Sequence, residues 1–332
     1  MLMLHHPLFL KGLTLQNRIV MPPMATAKST PDGMVSDELC AYYDEKSRGG
    51  YIGLIIVEHS FICPEGKASL GQLSMAEDAC IPGLKKLVQT IHANNTPVFA
   101  QINHAGIQTK RSITGCDVLG PSSVIPPNRP IPEEMPREMT AEDIARIPGL
   151  FAAAAKRVKE AGFDGVEIHS AHGYLLNQFY SPLTNHRTDS YGGCLMNRIR
   201  LHLEVIRAVR EAVGEDYPIA IRLGASDYLD GGSTIEDGAA ACREFQKAGV
   251  DLLDISGGFS GYRRPEGASA GYFKDATFAI RKTTRLPIIL TGGVTKGDEV
   301  EALLCENAAD LIGVGRAILA DSNWAKNAIE NY

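Results

Sequence analysis

Short aliphatic runs alternate with longer amphipathic windows along nearly the whole chain. The runs are Arg18–Met24, Leu54–Glu58, Val98–Ile102, Gly165–Ile168, Ile219–Leu223, Leu252–Ile255, Ile288–Thr291 and Leu311–Val314. They are rich in Ile, Val and Leu and lack polar alternation, as strands covered on both faces do. Between them, Leu84–His92, Phe151–Ala161, Arg198–Val213 and Val300–Asn307 repeat apolar residues at helical spacing. Thr140-x-x-Asp143, Thr234-x-x-Asp237 and Thr295-x-x-Asp298 mark three helix starts. Eight strand-then-helix units predict an α/β fold, a closed (β/α)8 TIM barrel rather than an open doubly wound sheet. No linker or break in composition divides the chain, so a single domain over residues 1–332 is expected.

Polar chemistry gathers where the runs end. The fourth run passes into His169, His172 and Tyr174, then into a loop with Pro182, Asn185, Arg187, Asp189 and Gly192-Gly193. Two imidazoles and a phenol at a strand end suit the active face of a barrel. A His-x-x-His pair also suits a metal, but no Cys or carboxylate supports it at a useful spacing, and none is expected. Simple packing of the three side chains is the other alternative. The first run ends Pro22-Pro23-Met24-Ala25, a stiff exit whose prolines have no N–H to give. The second ends Glu58-His59, with His59 either packed or in a site, and the loop Phe61–Ala79 after it reads as ordinary surface. Gln101, near the end of the third, both donates and accepts. Arg222 sits inside an apolar run, which is costly unless the charge is balanced. Gly292-Gly293 and Gly313–Arg316 end the seventh and eighth runs. Glycines there let backbone N–H groups approach a phosphate, and Arg316 can clamp it. The Pro-rich connection Ala105–Met139, with Pro121, Pro126, Pro127, Pro130, Pro132 and Pro136, is long enough to read as a lid.

Composition narrows the class. A net charge of −6 argues against nucleic acid as a partner. No window approaches the roughly 18 apolar residues of a membrane span, and the first residues lack a signal-peptide pattern. The seven cysteines are scattered, without C-x-x-C, as expected of reduced thiols in the cytoplasm. A first-strand dinucleotide fingerprint is also absent.

The run H-S-A-H-G-Y-L…F-Y-S-P-L-T-N-H-R-T-D-S-Y-G-G from His169 to Gly193 resembles the signature of the Old Yellow Enzyme family, the FMN-dependent ene-reductases and NAD(P)H:flavin oxidoreductases. The resemblance extends from Leu8 to about Trp324 and is greatest to the short bacterial branch. It implies that FMN is bound and is reduced by NADH or NADPH. The substrate is then a small activated alkene, an α,β-unsaturated carbonyl or nitro compound that takes hydride at its β-carbon. His169 and His172 would bind the substrate oxygen and Tyr174 would supply the proton. Pro23, Met24 and Ala25 would lie along the reactive flavin edge. Gln101 would meet the pyrimidine, Arg222 would sit beside N1 and O2, and Gly293, Gly315 and Arg316 would hold the phosphate. His59 would border the flavin where relatives carry a small residue. Ala27 would border the substrate where relatives have Tyr, and Ala25 replaces a Cys or Thr. Leu8–Leu15 would form a small cover under the first strand. Longer relatives add a cysteine cluster for an iron–sulfur centre and a nucleotide domain, neither found in these residues. A homo-oligomer is expected, although no Arg follows Arg316 to reach a partner's site. A demethylase or dehydrogenase chemistry, or a flavin-binding barrel without turnover, are the alternatives.

Overall fold

The computed structural model describes residues 2–127, 134–263 and 269–331. Eight parallel strands close into a barrel: β1 Ile19–Met21, β2 Leu54–Phe61, β3 Val98–Asn103, β4 Gly165–Ser170, β5 Ile219–Ser226, β6 Leu252–Gly257, β7 Ile288–Thr291 and β8 Leu311–Gly313. Ile312 and Gly313 of β8 pair with Ile19 and Val20 of β1 to complete it. Each predicted run is a strand, but the ends differ. β1 stops at Met21, because Pro22 and Pro23 cannot donate to a ladder. β2, β4, β5 and β6 run on past their aliphatic cores. As a result His59 and His169 lie within strands rather than beyond them.

Helices α1 Asp37–Ser47, α2 Ile81–His92, α3 Ala141–Ala161, α4 Arg200–Val213, α5 Ile235–Ala248, α6 Lys274–Arg281, α7 Gly297–Cys305 and α8 Trp324–Glu330 lie between and after the strands. Thr140–Asp143 and Thr234–Asp237 form reciprocal capping boxes, as their spacing predicts. The α3 cap sets its start ten positions before the periodic window. Ile144, Ile147, Phe151 and Ala154 then carry a buried stripe past Pro148. The α7 start is one residue later than predicted. Lys296 is the cap, and Glu299, not Asp298, accepts from the backbone N–H groups of Thr295 and Lys296. The longer Glu side chain reaches back a full turn.

Inside the barrel, alternate residues form layers. The lower layer is apolar: Leu54, Ile56, Phe99, Ala220, Leu252, Ile289 and Leu311 pack with Val20. Gly165 leaves space for Phe99, whose ring carbons lie 2.4 Å from where a Cβ would stand. The expected cover is an antiparallel hairpin, Leu8–Leu10 with Leu13–Leu15, turning through left-handed Lys11 and Gly12. Its Leu8, Leu10 and Leu15 join the lower layer. One step up the same strands the interior turns polar, with Gln101, Glu167, Arg222 and Asp254 all buried. The apolar plug below makes the opposite, C-terminal mouth the open one.

Ala105–Met139 does not behave as the predicted lid. None of its described residues lines the cavity at the mouth. Leu119–Gly120 pairs with Arg137–Glu138, and Arg187 donates to the carbonyls of Pro121 and Met139. Pro130 and Pro132 lie outside the described residues. Among the described residues, no helix is long and apolar enough to cross a membrane.

Candidate active site

The C-terminal mouth holds a cavity of about 450 Å³. This is the size of a pocket for a cofactor or small molecule. His169, His172, Tyr174, His59, Gln101 and Arg222 line it, as do Pro23, Met24, Ala25, Gly293, Gly315 and Arg316. Of the predicted site residues only Ala27 is not among its lining. The chain turns at Ala27 with a left-handed φ of 55°, which leaves it exposed with its carbonyl against Gly71.

Strand register builds the floor. Gln101 of β3 stands opposite Glu167 of β4, and its Nε2 donates to Glu167 Oε2 at 2.7 Å. Asp254 of β6 stands opposite Arg222 of β5, with Nε 3.2 Å from Oδ2. That contact is electrostatic, since neither atom is aligned for a hydrogen bond. Burial pushes the Glu167 carboxyl well above the usual carboxylate range, and the nearby Asp254 pushes it further. Burial raises Asp254 to about 6 against the pull of Arg222. One cation therefore faces two acids that resist ionisation. Among the described residues, Glu167 Oε1, Asp254 Oδ2 and Arg222 Nε are left without hydrogen-bond partners.

The rings form one wall. The centroid of His169 is 5.3 Å from that of His172 and 5.0 Å from that of Tyr174. His172 has a left-handed φ of 59° and is followed by left-handed Gly173. Such a turn is strained and persists where its surroundings hold it. Here the His172 N–H reaches Gly257 O at 3.4 Å, His172 Nε2 meets Ser256 Oγ at 2.8 Å, and the Gly173 N–H donates to Asn177 Oδ1. Burial first, then the neighbouring His172, His59 and Arg222, hold His169 well below the usual imidazole range. His169 is thus neutral at physiological pH, and its buried Nδ1 has no hydrogen-bond partner among the described residues.

At the other end, Gly293 has φ 74°, and a Cβ there would stand 2.3 Å from the ring of Tyr272. Arg316 donates to the Tyr272 hydroxyl. Tyr272, Tyr262 and Thr291 also line the cavity and were not predicted. Thr291 closes an identified strand, so its position was an available signal. Tyr272 and Tyr262 lie in the long β6–α6 connection, where no periodicity marks them.

The loop after β2 corrects another expectation. Phe61–Ala79 was expected to be surface, yet Ile62, Cys63, Gln72, Leu73 and Met75 are buried. Gln72 Nε2 reaches His59 Nδ1 at 2.9 Å, so this loop holds a cavity residue.

The site is an imidazole wall, a buried arginine floor and a glycine-lined rim at the C-terminal mouth of an eight-stranded α/β barrel. The sequence profile of the NADH:flavin oxidoreductase / NADH oxidase family matches residues 3–332, and the chain belongs to that family, which includes Old Yellow Enzyme. It is 40% identical to an NADH oxidase of Thermoanaerobacter brockii, over 99% of this chain and 52% of the relative. It is 37% identical to an NADPH dehydrogenase of Listeria monocytogenes, over 97% and 92%. The chain thus spans about half the length of the NADH oxidase and most of the NADPH dehydrogenase. Among solved structures, a 2-naphthoyl-CoA reductase matches with TM-score 0.91 at 27% identity, over 99% of this chain and 52% of that one. An Old Yellow Enzyme homologue of Zymomonas mobilis matches with TM-score 0.87 at 27% identity, over 99% and 92%.

Proposed function

We propose that this protein is an FMN-dependent oxidoreductase that uses NADH or NADPH to reduce a small activated alkene. The observation that carries this reading is the convergence of His169, His172 and Tyr174 on the same cavity as Gln101, Arg222, Gly293 and Arg316. The residues present suit FMN. Buried Arg222, whose Nε meets Asp254 without an aligned hydrogen bond, offers positive charge at the floor, and left-handed Gly293 keeps the rim bare beside Arg316. When bound, FMN would supply hydride transfer between the nicotinamide and the β-carbon of the alkene.

The protein residues do the rest. Gln101 gives one amide hydrogen to Glu167, which leaves its carbonyl and second N–H to pair with the flavin pyrimidine edge. Arg222 balances negative charge at that end. Gly293, Gly315 and Arg316 would hold the phosphate, and Pro23, Met24, Ala25 and His59 would border the ring system. Ala25 offers no side-chain donor there. His169 and His172 hydrogen-bond the substrate oxygen, and this polarises the conjugated double bond. Neutral His169 binds that oxygen by hydrogen bonding alone, without committing a buried charge. Tyr174 gives its phenolic proton to the α-carbon.

The test begins with the cofactor. Denatured holoprotein should release FMN, and release of FAD would refute the phosphate assignment. Stopped-flow absorbance should then show bleaching by NADH or NADPH and recovery of colour on adding an enone without oxygen. A flavin that stays oxidised would reduce the protein to a binder. A flavin that is reduced but never reoxidised by enones or nitroalkenes would refute the alkene assignment.

A further inference from the structure

His59 is a third imidazole in the cavity, and the chemistry proposed above gives it no hydrogen bond to the substrate. Its ring centroid lies 6.2 Å from that of His169 and 5.1 Å from that of Tyr174. Its hydrogen is placed by residues outside the cavity. The Ala68 N–H donates to Gln72 Oε1 at 2.6 Å, which fixes the buried amide the other way round toward His59. Gln72 Nε2 then donates to His59 Nδ1 at 2.9 Å and to His59 O at 3.1 Å. Asn103 Nδ2 approaches the same Nδ1 at 3.4 Å. An amide nitrogen only donates, so Nδ1 must accept, and the neutral ring carries its hydrogen on Nε2. Burial, with the charge of Arg222, pushes His59 down to about 4, so the ring is neutral at physiological pH.

We propose that His59, held as an Nε2–H donor by Gln72, is a second oxygen-binding point of the site and selects activated alkenes that carry a second conjugated carbonyl, the ene-diones. This rests on the alkene-reductase reading. One carbonyl oxygen binds at His169 and His172. The other lies across the double bond, on the side of His59, whose ring centroid is 6.2 Å from that of His169. The reaction is otherwise unchanged. The double bond gains a hydride at one carbon and a proton at the other, and the nicotinamide donor supplies both electrons. A simple enone uses one binding point and leaves His59 unmatched, whereas an ene-dione satisfies both. Gln72 acts through His59 and is a positioning residue.

The test compares kcat/KM of the holoenzyme for cyclohexenone, with one carbonyl, and ketoisophorone, with two. His59→Leu should lower the ketoisophorone value about tenfold more than the cyclohexenone value, the scale of one lost hydrogen bond. His59→Asn keeps a donor and should restore part of the preference. Gln72→Glu replaces the donor to Nδ1 with an acceptor. At low pH the ring is doubly protonated and keeps its Nε2–H, so the preference survives. At higher pH the remaining hydrogen moves to Nδ1 and the preference is lost. The titratable or charged neighbours of His59 are His169, Tyr174 and Arg222, all present in every variant. A purely structural Gln72 would give no such pH dependence. Equal loss on both substrates in the His59 variants would overturn the inference. So would a loss confined to flavin reduction by the nicotinamide, which would assign His59 to the cofactor. If the wild-type protein reduces neither substrate, the alkene-reductase reading itself falls. If it reduces both and the ratio stays fixed in all variants, only the role of His59 falls.

Discussion

Gln101 and Glu167, opposite each other on β3 and β4, are joined by a 2.7 Å hydrogen bond from the Gln101 amide to the buried carboxyl. The bond decides which way the Gln101 amide faces, and so which of its atoms is left for a ligand above. Glu167 is raised well above the usual carboxylate range, which makes it a neutral partner. Glu167→Gln should therefore bind flavin within a few-fold of wild type. Glu167→Ala frees the amide to rotate and should weaken flavin binding about tenfold, the worth of one oriented hydrogen bond. Fluorescence titration of the apoprotein with FMN checks both.

Arg222 faces Asp254 and Glu167 from the same layer. Arg222→Ala should weaken flavin binding and slow its reduction by the nicotinamide, because positive charge at that end is lost. It also leaves Asp254 buried without its cation, so the apoprotein should melt at a lower temperature. A reductive half-reaction as fast as wild type would assign Arg222 to structure alone.

Tyr174→Phe should leave reduction by NADH or NADPH intact, since that step takes no proton from the phenol. Reoxidation by an enone should slow by about 10²–10⁴-fold, the usual worth of a general acid. His172→Ala should weaken binding of phenolic ligands and slow hydride transfer itself. Following each half-reaction by flavin absorbance separates the two. Equal losses in both half-reactions for Tyr174→Phe would indicate a packing role.

Glu58, buried in β2, accepts a hydrogen bond from the Thr26 hydroxyl at 2.5 Å. Burial pushes its carboxyl up to about 7. An acid raised in the native state binds protons more tightly there than in the unfolded chain. Its stabilising effect is therefore full below the unfolded value of about 4 and is lost as pH rises to about 7. Glu58→Gln should flatten that part of the stability–pH curve in thermal melts of the apoprotein. Asp254, raised to about 6, and Glu167, raised well above the usual carboxylate range, give trends of the same sign that should remain in the variant.

Gly293→Ala tests the rim. The backbone is left-handed at Gly293, and the new methyl group would meet the Tyr272 ring. Flavin affinity and thermal stability should both fall. Arg316→Ala should lower flavin affinity with little change in the melting temperature of the apoprotein, because Arg316 is exposed.

The barrel was legible because its signal is local. Strands buried on both faces must be continuously apolar, and eight such runs separated by amphipathic windows admit few other closures. His169, His172, Tyr174 and the Gly293 and Gly315-Arg316 rim were legible because they stand at the ends of those runs. Pairings across the barrel were not. Gln101 meets Glu167 across 66 positions of sequence, and Gln72 holds His59 from a loop that reads as surface. The sequence by itself determined the strands, their order and most of the residues that crown the open mouth. Only the tertiary structure decided that Arg222 faces Asp254, that Tyr272 buttresses Arg316 and that Ala27 turns away from the cavity. Periodicity specifies which face of a strand is buried. Register, closure of the barrel and loop packing specify which buried polar groups then touch, and those are properties of the assembled sheet.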